Sequence, residues 1–299
     1  MKRVCVILLL CLLSAVTLTA LTGCVRPKST VKDMDGYTLY ENLHYGKSER
    51  QEVDLAIPEG ASGEVGLMLA IHGGGWRSGD KSGHSSDVEE WCKKGYVSAA
   101  MNYRYSTARG VGVDEMLEDI TLALETIRGT CYEAGIDVNK VMLYGGSAGA
   151  HLSLLYAYKI GSEAPIAPVA VCSMSGPTDL CDRNFYVDNP LVEDIIKMIS
   201  DLVDHEFDAD SVDGALPYLE YASPTSYIEG AVPTVICQGE LDIVVPASNG
   251  YTLDALLTEA GVAHELIIFE NSGHGLEADP DRWALMKAKM AEYAERYLK

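Results

Sequence analysis

The alternation of short apolar segments with amphipathic helical segments constrains the fold of this chain most strongly. Apolar runs of strand length recur along the sequence, and segments with helical periodicity separate them. Strands that alternate with helices form βαβ units, which build a mostly parallel sheet covered by helices on both faces. The predicted strands are residues 53–57, 65–71, 96–102, 141–144, 166–174, 234–237 and 265–269, and the predicted helices are residues 87–95, 113–131, 148–159, 247–260 and 282–298.

The charge of the chain excludes one class of partner. The 299 residues include 23 Lys and Arg against 44 Asp and Glu, a formal net charge of −21. Nucleic-acid binding needs clustered Lys and Arg, so no nucleic acid is expected as a partner. The Cys and His residues show no spacing typical of a zinc site, and no metal is predicted.

The N-terminal segment has the features of a targeting signal. Lys2 and Arg3 precede residues 4–23, which carry no charge, and the segment ends in Leu-Thr-Gly before Cys24. This ending resembles a bacterial lipobox, which implies that residues 1–23 are a signal peptide and that Cys24 is lipidated. Residues 24–35 are then a polar tether. The alternative is a retained transmembrane anchor, because 20 uncharged residues can span a bilayer. Either way the protein is expected at the bacterial cell envelope, outside the cytoplasm.

A G-x-S-x-G motif at residues 145–149 lies between a short apolar strand and a helix, which is the context that a nucleophilic serine requires. The sharp turn exposes the hydroxyl of Ser147 at a helix N-terminus, where the helix dipole favours developing negative charge. The alternative reading of this motif is an ordinary glycine-rich loop.

A second glycine-rich loop, His-Gly-Gly-Gly-Trp at residues 72–76, follows the strand predicted at 65–71. Acyl transfer needs fixed donors for an oxyanion, and glycines allow backbone N–H groups to approach it closely. A phosphate-binding loop is less consistent with the sequence, because no Lys-Ser or Lys-Thr pair follows. We expect His72 to shape this loop by hydrogen bonding.

A serine nucleophile needs a base and an orienting acid, and two later loops offer them. His274 lies in the loop after the strand predicted at 265–269, and Asp242 lies in the loop after the strand at 234–237. Glu240 in the same loop is the alternative acid. The order Ser147, Asp242, His274 is that of the α/β-hydrolases.

Together these four loops resemble the α/β-hydrolase fold, in particular its lipase and esterase branch with an HGGG-type loop. The resemblance extends over roughly residues 37–299 and includes the carboxylesterases related to hormone-sensitive lipase and the acetylxylan and feruloyl esterases. It implies that the backbone amides of Gly74, Gly75 and Ala148 form the oxyanion hole, and it implies no cofactor. Trp76 and Tyr103 could stack on a sugar or aryl ring of the substrate.

The segment 182–218 interrupts the alternation, holds ten acidic residues and contains one predicted amphipathic helix at about residues 191–203. We expect it as a small insertion after the sixth strand of a single hydrolase domain, residues 36–299. It is either a lid at the site, where it would disfavour anionic substrates, or simply a solvated acidic face.

The function predicted from these features is that of a surface-anchored serine esterase acting on short acyl esters or on glycan-linked acetyl or feruloyl esters. The hydrolase alternatives are a peptidase of the prolyl-oligopeptidase kind and an arylformamidase. A non-catalytic binding module on a hydrolase scaffold is the alternative from another class, although such a module would not need a complete triad.

Overall fold

A computed structural model describes residues 29–299 of the chain. The predicted signal peptide, Cys24 and the first residues of the predicted tether lie outside this range. Within residues 29–299, no helix is long and apolar enough to cross a membrane.

A nine-stranded sheet forms the centre of the molecule, with the strand order β1-β2-β3-β6-β5-β8-β9-β10-β11. The six strands from β6 to β11 in this order are parallel, and β1, β2 and β3 form an antiparallel edge. The strands are β1 (Thr30–Met34), β2 (Tyr37–His44), β3 (Glu52–Pro58), β4 (Gly63–Glu64), β5 (Leu67–Ile71), β6 (Val97–Met101), β7 (Ile136–Asp137), β8 (Lys140–Gly146), β9 (Ala167–Met174), β10 (Thr234–Gly239) and β11 (His264–Phe269), of which β4 and β7 pair separately.

Helices cover both faces of the sheet, so the predicted fold class is confirmed. The helices are α1 (Ser85–Lys93), α2 (Val113–Glu133), α3 (Ala148–Leu155), α4 (Val192–Val203), α5 (Val212–Tyr221), α6 (Ser248–Ala260) and α7 (Pro280–Leu298). The apolar sides of α1 and α7 pack in one core cluster, and those of α2 to α6 pack in the other. Strands β5 and β6, fully buried along their length, lie between the two layers.

Two expectations about the chain order need correction. Residues 30–34 of the predicted tether form β1, which pairs with β2. Both strands escaped prediction because β1 is exposed along its whole length and β2 has few buried residues, so neither shows a pattern of burial. The acidic insertion consequently follows β9, the seventh strand of the main sheet in chain order, and not the sixth.

The parallel strands bring the predicted functional loops to one edge of the sheet. The loops that follow β5, β8, β10 and β11 contain, in that order, the His-Gly-Gly-Gly-Trp segment, Ser147, Asp242 and His274. Since parallel strands have their carboxyl ends at the same edge, these loops are neighbours, and ligands of such sheets bind there.

Candidate active site

Ser147 lies in a strained turn between β8 and α3. Its φ angle is +54°, a left-handed value that is uncommon for a residue with a side chain. Its amide donates a hydrogen bond to the carbonyl oxygen of Met174 over 2.8 Å. A Cβ atom at Gly145 or Gly149 would lie 2.3 or 1.9 Å from the carbonyl oxygen of Ile71. Both motif glycines are therefore required for the turn to pack against β5.

Asp242 is the acid that contacts His274. Its Oδ2 accepts a hydrogen bond from Nδ1 of His274 over 2.8 Å, and its side chain is fully buried. Its Oδ1 accepts the backbone amides of Val244 and Val245 over 2.8 and 2.9 Å, which fixes the carboxylate. The alternative acid, Glu240, is exposed and accepts a hydrogen bond from the hydroxyl of Tyr251 instead.

Ser147 and His274 line the same two cavities. We name these the inner cavity, of about 340 Å³, and the outer cleft, of about 310 Å³. Within residues 29–299, no hydrogen bond joins the two side chains. Such bonds are often long before substrate binds and tighten in the complex. With Nδ1 held by Asp242, Nε2 is the ring nitrogen left for proton transfer.

The glycine loop borders the inner cavity beside Ser147. Gly74 and Gly75, with φ angles of +109° and +58°, line the cavity, and Ala148 begins α3 next to the serine. A Cβ atom at Gly74 would lie 2.3 Å from the carbonyl oxygen of Ser78, and one at Gly75 would lie 2.4 Å from Sδ of Met198. The three residues with predicted oxyanion amides thus lie around the serine, and at Gly74 the backbone of Ser78 leaves no room for a side chain.

His72 supports this loop and does not face either cavity. Its Nδ1 donates to the carbonyl oxygen of Gly73 over 2.7 Å, and its Nε2 accepts from Arg50 over 3.0 Å. Burial lowers the pKa of His72 to about 4, so the ring is neutral near pH 7.

The expectation that Tyr103 contacts substrate is wrong. Tyr103 has no exposed surface, stacks on the His72 ring at 4.4 Å and donates its hydroxyl to the His72 carbonyl oxygen. The residue follows the end of β6, and its side chain turns into the core beneath the glycine loop. The pattern of the sequence placed Tyr103 near the site but could not give this direction.

Trp76 does line the inner cavity, where a buried histidine holds it. Its Nε1 donates to Nδ1 of His151 over 3.2 Å, and Nε2 of His151 donates to the carbonyl oxygen of Ala222 over 2.8 Å. Burial lowers the pKa of His151 to about 4, which keeps the ring neutral. This chain of contacts connects the glycine loop, through α3, with Ala222 at the end of α5.

The insertion at 182–218 has two different faces. Apolar side chains from this segment line the inner cavity, namely Phe185, Ile195, Met198 and Ile199. Its ten acidic residues are exposed or half-buried, and none lines the cavity. The segment therefore borders the inner cavity with its apolar side chains, and its acidic residues lie outside that lining. Its role as a lid stays a prediction. Sequence reasoning missed the apolar lining, although the helical spacing of Ile195 and Ile199 was a signal for it.

Comparisons with known proteins show which family and which enzymes this chain resembles. A family model, BD-FAE, matches residues 53–257. The probable carboxylic ester hydrolase LipM of Mycobacterium tuberculosis is 30% identical over 114 residues, which are 38% of this chain and 26% of that protein. The acylamino-acid-releasing enzyme of Arabidopsis thaliana is 27% identical over 246 residues, which are 72% of this chain and 28% of that enzyme. The chain thus spans about a quarter of the length of these curated relatives.

The fold is similar to that of solved esterase structures. A truncated form of a carbohydrate esterase from gut microbiota superposes with a TM-score of 0.70 at 18% identity, covering 90% of this chain and 100% of that one. This likeness confirms the α/β-hydrolase fold. Because the family model covers more than half of the sequence, the chain belongs to the BD-FAE family.

Proposed function

We propose that this protein is a serine carboxylic-ester hydrolase that works through an acyl-enzyme on Ser147. The observation that carries the proposal is the convergence of three groups on one cavity. These groups are a serine in a strained turn at a helix N-terminus, a histidine held by a buried aspartate, and two glycines with left-handed backbone.

In this mechanism the Ser147 hydroxyl attacks the ester carbonyl carbon while Nε2 of His274 takes its proton. Asp242 holds the imidazole in one tautomer and stabilises the imidazolium. The oxyanion forms toward the amides of Gly74, Gly75 and Ala148. His274 then protonates the leaving alcohol, and a water molecule activated by the same histidine releases the acid from Ser147.

The apolar lining of the inner cavity favours an acyl group without polar substituents, such as acetyl. The cavity has no charged lining residue, and the indole N–H of Trp76 is already bonded to His151. A feruloyl group would bury its phenolic hydroxyl here with no partner, which costs free energy. We therefore favour acetyl over feruloyl esters as substrates.

A peptidase is the second candidate function, since the match to the acylamino-acid-releasing enzyme extends over 72% of the chain. Turnover of p-nitrophenyl acetate and of N-acetyl-alanyl p-nitroanilide by the purified protein distinguishes the two. We expect the ester to be hydrolysed at least about 100-fold faster in kcat/KM. A faster anilide would replace the esterase by a peptidase, and turnover of neither would leave a binding module.

We also propose that the protein is anchored to the cell envelope through a lipid on Cys24. The support is the lipobox-like ending of an uncharged N-terminal segment. Cys24→Ser should move the protein from the membrane fraction to the soluble fraction and abolish incorporation of labelled fatty acid. Unchanged membrane association with no lipid would indicate an uncleaved anchor.

A further inference from the structure

A second histidine lines the outer cleft together with Ser147 and His274. His84 directly precedes α1, and its side chain is 17% exposed. The esterase mechanism, with one base and one acid, gives His84 no role. The cleft is otherwise lined by glycines and by large apolar or aromatic side chains, namely Met174, Leu276 and Trp283. An imidazole at this place therefore calls for a chemical explanation.

His84 is oriented in the same way as His274. Its Nδ1 lies 3.0 Å from Oδ2 of Asp87 in the first turn of α1, as Nδ1 of His274 lies 2.8 Å from Oδ2 of Asp242. An ionised carboxylate only accepts hydrogen bonds, so in the neutral imidazole Nδ1 carries the proton and Nε2 is an acceptor. The Tyr144 ring on β8 also contacts the imidazole edge-on, with 6.0 Å between the ring centres. Two contacts thus fix the ring and its tautomer.

Nε2 of His84 is free to contact a molecule in the cleft. It makes no hydrogen bond with any residue in the range 29–299. Apart from Ser147 and His274, the other polar side-chain atom among the described lining residues is Nε1 of Trp283, which already donates to the carbonyl oxygen of Leu276. His84 therefore adds one hydrogen-bond acceptor to the serine and histidine of the outer cleft.

The hydrolysis of an acyl-enzyme needs a water molecule in this cleft. An acyl group on Ser147 would occupy the apolar inner cavity, so the water enters from the outer cleft once the alcohol has left. A bound water molecule needs at least two polar partners to be well ordered. His274 is one partner, as the base, and His84 is the side chain of the cleft that can be the second.

We propose that Nε2 of His84 accepts one hydrogen of the water molecule that hydrolyses the acyl-enzyme, while Nε2 of His274 accepts the other. The two acceptors direct a lone pair of the water oxygen toward the acyl carbon. As that oxygen bonds to the carbon, His274 takes one proton and passes it to Ser147 Oγ, whose bond to the carbon breaks. The hydrogen at His84 stays on the acid that is released. This inference rests on the proposed esterase function and adds a residue to its second step.

Methanol tests this role because it has one hydroxyl hydrogen where water has two. Methanol can donate that hydrogen to His274 and has none left for His84. With p-nitrophenyl acetate as the donor, the initial rates of methyl acetate and acetate formation give the ratio in which the acyl-enzyme reacts with methanol and with water. His84→Phe keeps a ring and removes the acceptor, so it should slow hydrolysis more than methanolysis. The ratio should rise about five- to tenfold, the effect of one hydrogen bond.

His264→Phe is the matched control. Nε2 of His264 lies 3.2 Å from Oδ1 of Asp254, and its side chain is 14% exposed, but this histidine begins β11 at the edge of the sheet opposite the site. The ratio should keep its wild-type value in this variant. His84→Gln retains a side-chain acceptor, and it should raise the ratio less than His84→Phe does. Thermal melts check that the variants are folded.

The outcomes separate this proposal from the proposed function. If p-nitrophenyl acetate is hydrolysed but the ratio in His84→Phe equals that of the wild type, His84 does not hold the water and the esterase stands. An unchanged ratio with a lower kcat/KM would place His84 against the leaving alcohol, which also overturns the proposal. An equal rise in His264→Phe would do the same. If the wild-type protein hydrolyses no ester, the proposed function itself fails.

Discussion

Ser147 is kept in a backbone conformation that opposes folding. A non-glycine residue with a φ of +54° costs on the order of 1–3 kcal/mol, and the surrounding packing must offset this cost. The glycines at 145 and 149 allow that packing, because a side chain at either position would collide with Ile71. At the scale of residues, the strained turn therefore lowers the stability of the fold and exposes the Ser147 hydroxyl.

The assignment of Asp242, and not Glu240, as the acid that orients His274 gives the first prediction. Asp242→Asn should lower esterase kcat by at least about 100-fold, because the amide NH2 can donate to Nδ1 and fix the wrong tautomer, and a neutral amide carries no charge to stabilise the imidazolium. Glu240→Gln is the matched control in the same loop, and it should stay within about twofold, since Glu240 contacts only Tyr251. Steady-state kinetics on p-nitrophenyl acetate decide the question, and a larger loss in Glu240→Gln would reverse the assignment.

The buried His151 predicts a pH dependence of stability. Its pKa is lowered to about 4 in the folded protein, whereas an unfolded histidine titrates near 6.5. The unfolded state therefore binds more protons between these values, and the free energy of unfolding falls as the pH drops from 6.5 toward 4. Burial of His72 acts in the same direction.

His151→Gln should remove one histidine from this effect while leaving an amide to contact Trp76 and Ala222. The difference in the free energy of unfolding between pH 7 and pH 4.5 should shrink by about 2 kcal/mol. Urea unfolding at the two pH values measures it. A pH difference identical to that of the wild type would show that His151 protonates as freely in the folded protein as in the unfolded chain.

The site residues could be predicted where their role depends on lying directly after the end of a strand. Ser147, Asp242 and His274 each follow a recognisable apolar strand, so the sequence predicts that they meet. The direction of a side chain was not predictable in the same way. Tyr103 also follows a strand, yet it faces the core, because packing against His72 sets its direction and no local pattern records that contact.

At the scale of elements, α4 forms part of the wall of the inner cavity. Its apolar side closes the inner cavity through Ile195, Met198 and Ile199, and its acidic side faces water. An amphipathic helix that covers a cavity in this way sets how much room the acyl group has.

Shortening one side chain of α4 should therefore change the preferred acyl length. Ile199→Ala should raise the ratio of kcat/KM for p-nitrophenyl hexanoate over acetate by about tenfold, since each added methylene buried is worth about 0.8 kcal/mol. Ile196→Ala is the matched control, because Ile196 is on the same helix but does not line the cavity. A thermal melt of both variants checks folding, and Ile199→Val should shift the ratio in the same direction.

An equal ratio in Ile199→Ala and Ile196→Ala would mean that α4 does not bound the acyl group.

The existence of α4 was predictable from its helical spacing, but its contact with the glycine loop was not. Strands β1 and β2 were not predicted, since tertiary pairing and not local periodicity defines them. Helix α5 was not predicted because Pro217 lies inside it, and a proline usually ends a helix.

At the scale of the whole molecule, the net negative charge and the apolar inner cavity both affect which acyl groups are accepted. The chain carries a formal net charge of −21, and ten of its 44 acidic residues lie in the insertion near the site, with exposed or half-buried side chains. The negative electrostatic potential of these charges and the apolar inner cavity both disfavour an acyl group with a free carboxylate. Salt screens only the electrostatic effect.

A matched acetyl ester and hemisuccinate ester separate these two effects. We expect the acetyl ester to have the higher kcat/KM at 0.1 M salt, and we expect the gap to narrow but persist at 1 M, where the Debye length falls from about 10 to about 3 Å. The difference in kcat/KM that remains at 1 M salt reflects the cost of removing the carboxylate from water. Loss of the whole gap at 1 M would contradict the apolar assignment of the cavity, and no narrowing would remove the acidic surface from substrate selection.

The most direct test of the account is the mass of the protein after a short reaction with p-nitrophenyl acetate or a fluorophosphonate. We predict one added acyl or phosphonyl group per chain, located by peptide mass spectrometry on Ser147, with none in Ser147→Ala and a loss of kcat of several orders of magnitude in that variant. Label on another residue, or a Ser147→Ala variant that keeps a tenth of the wild-type activity, would contradict it.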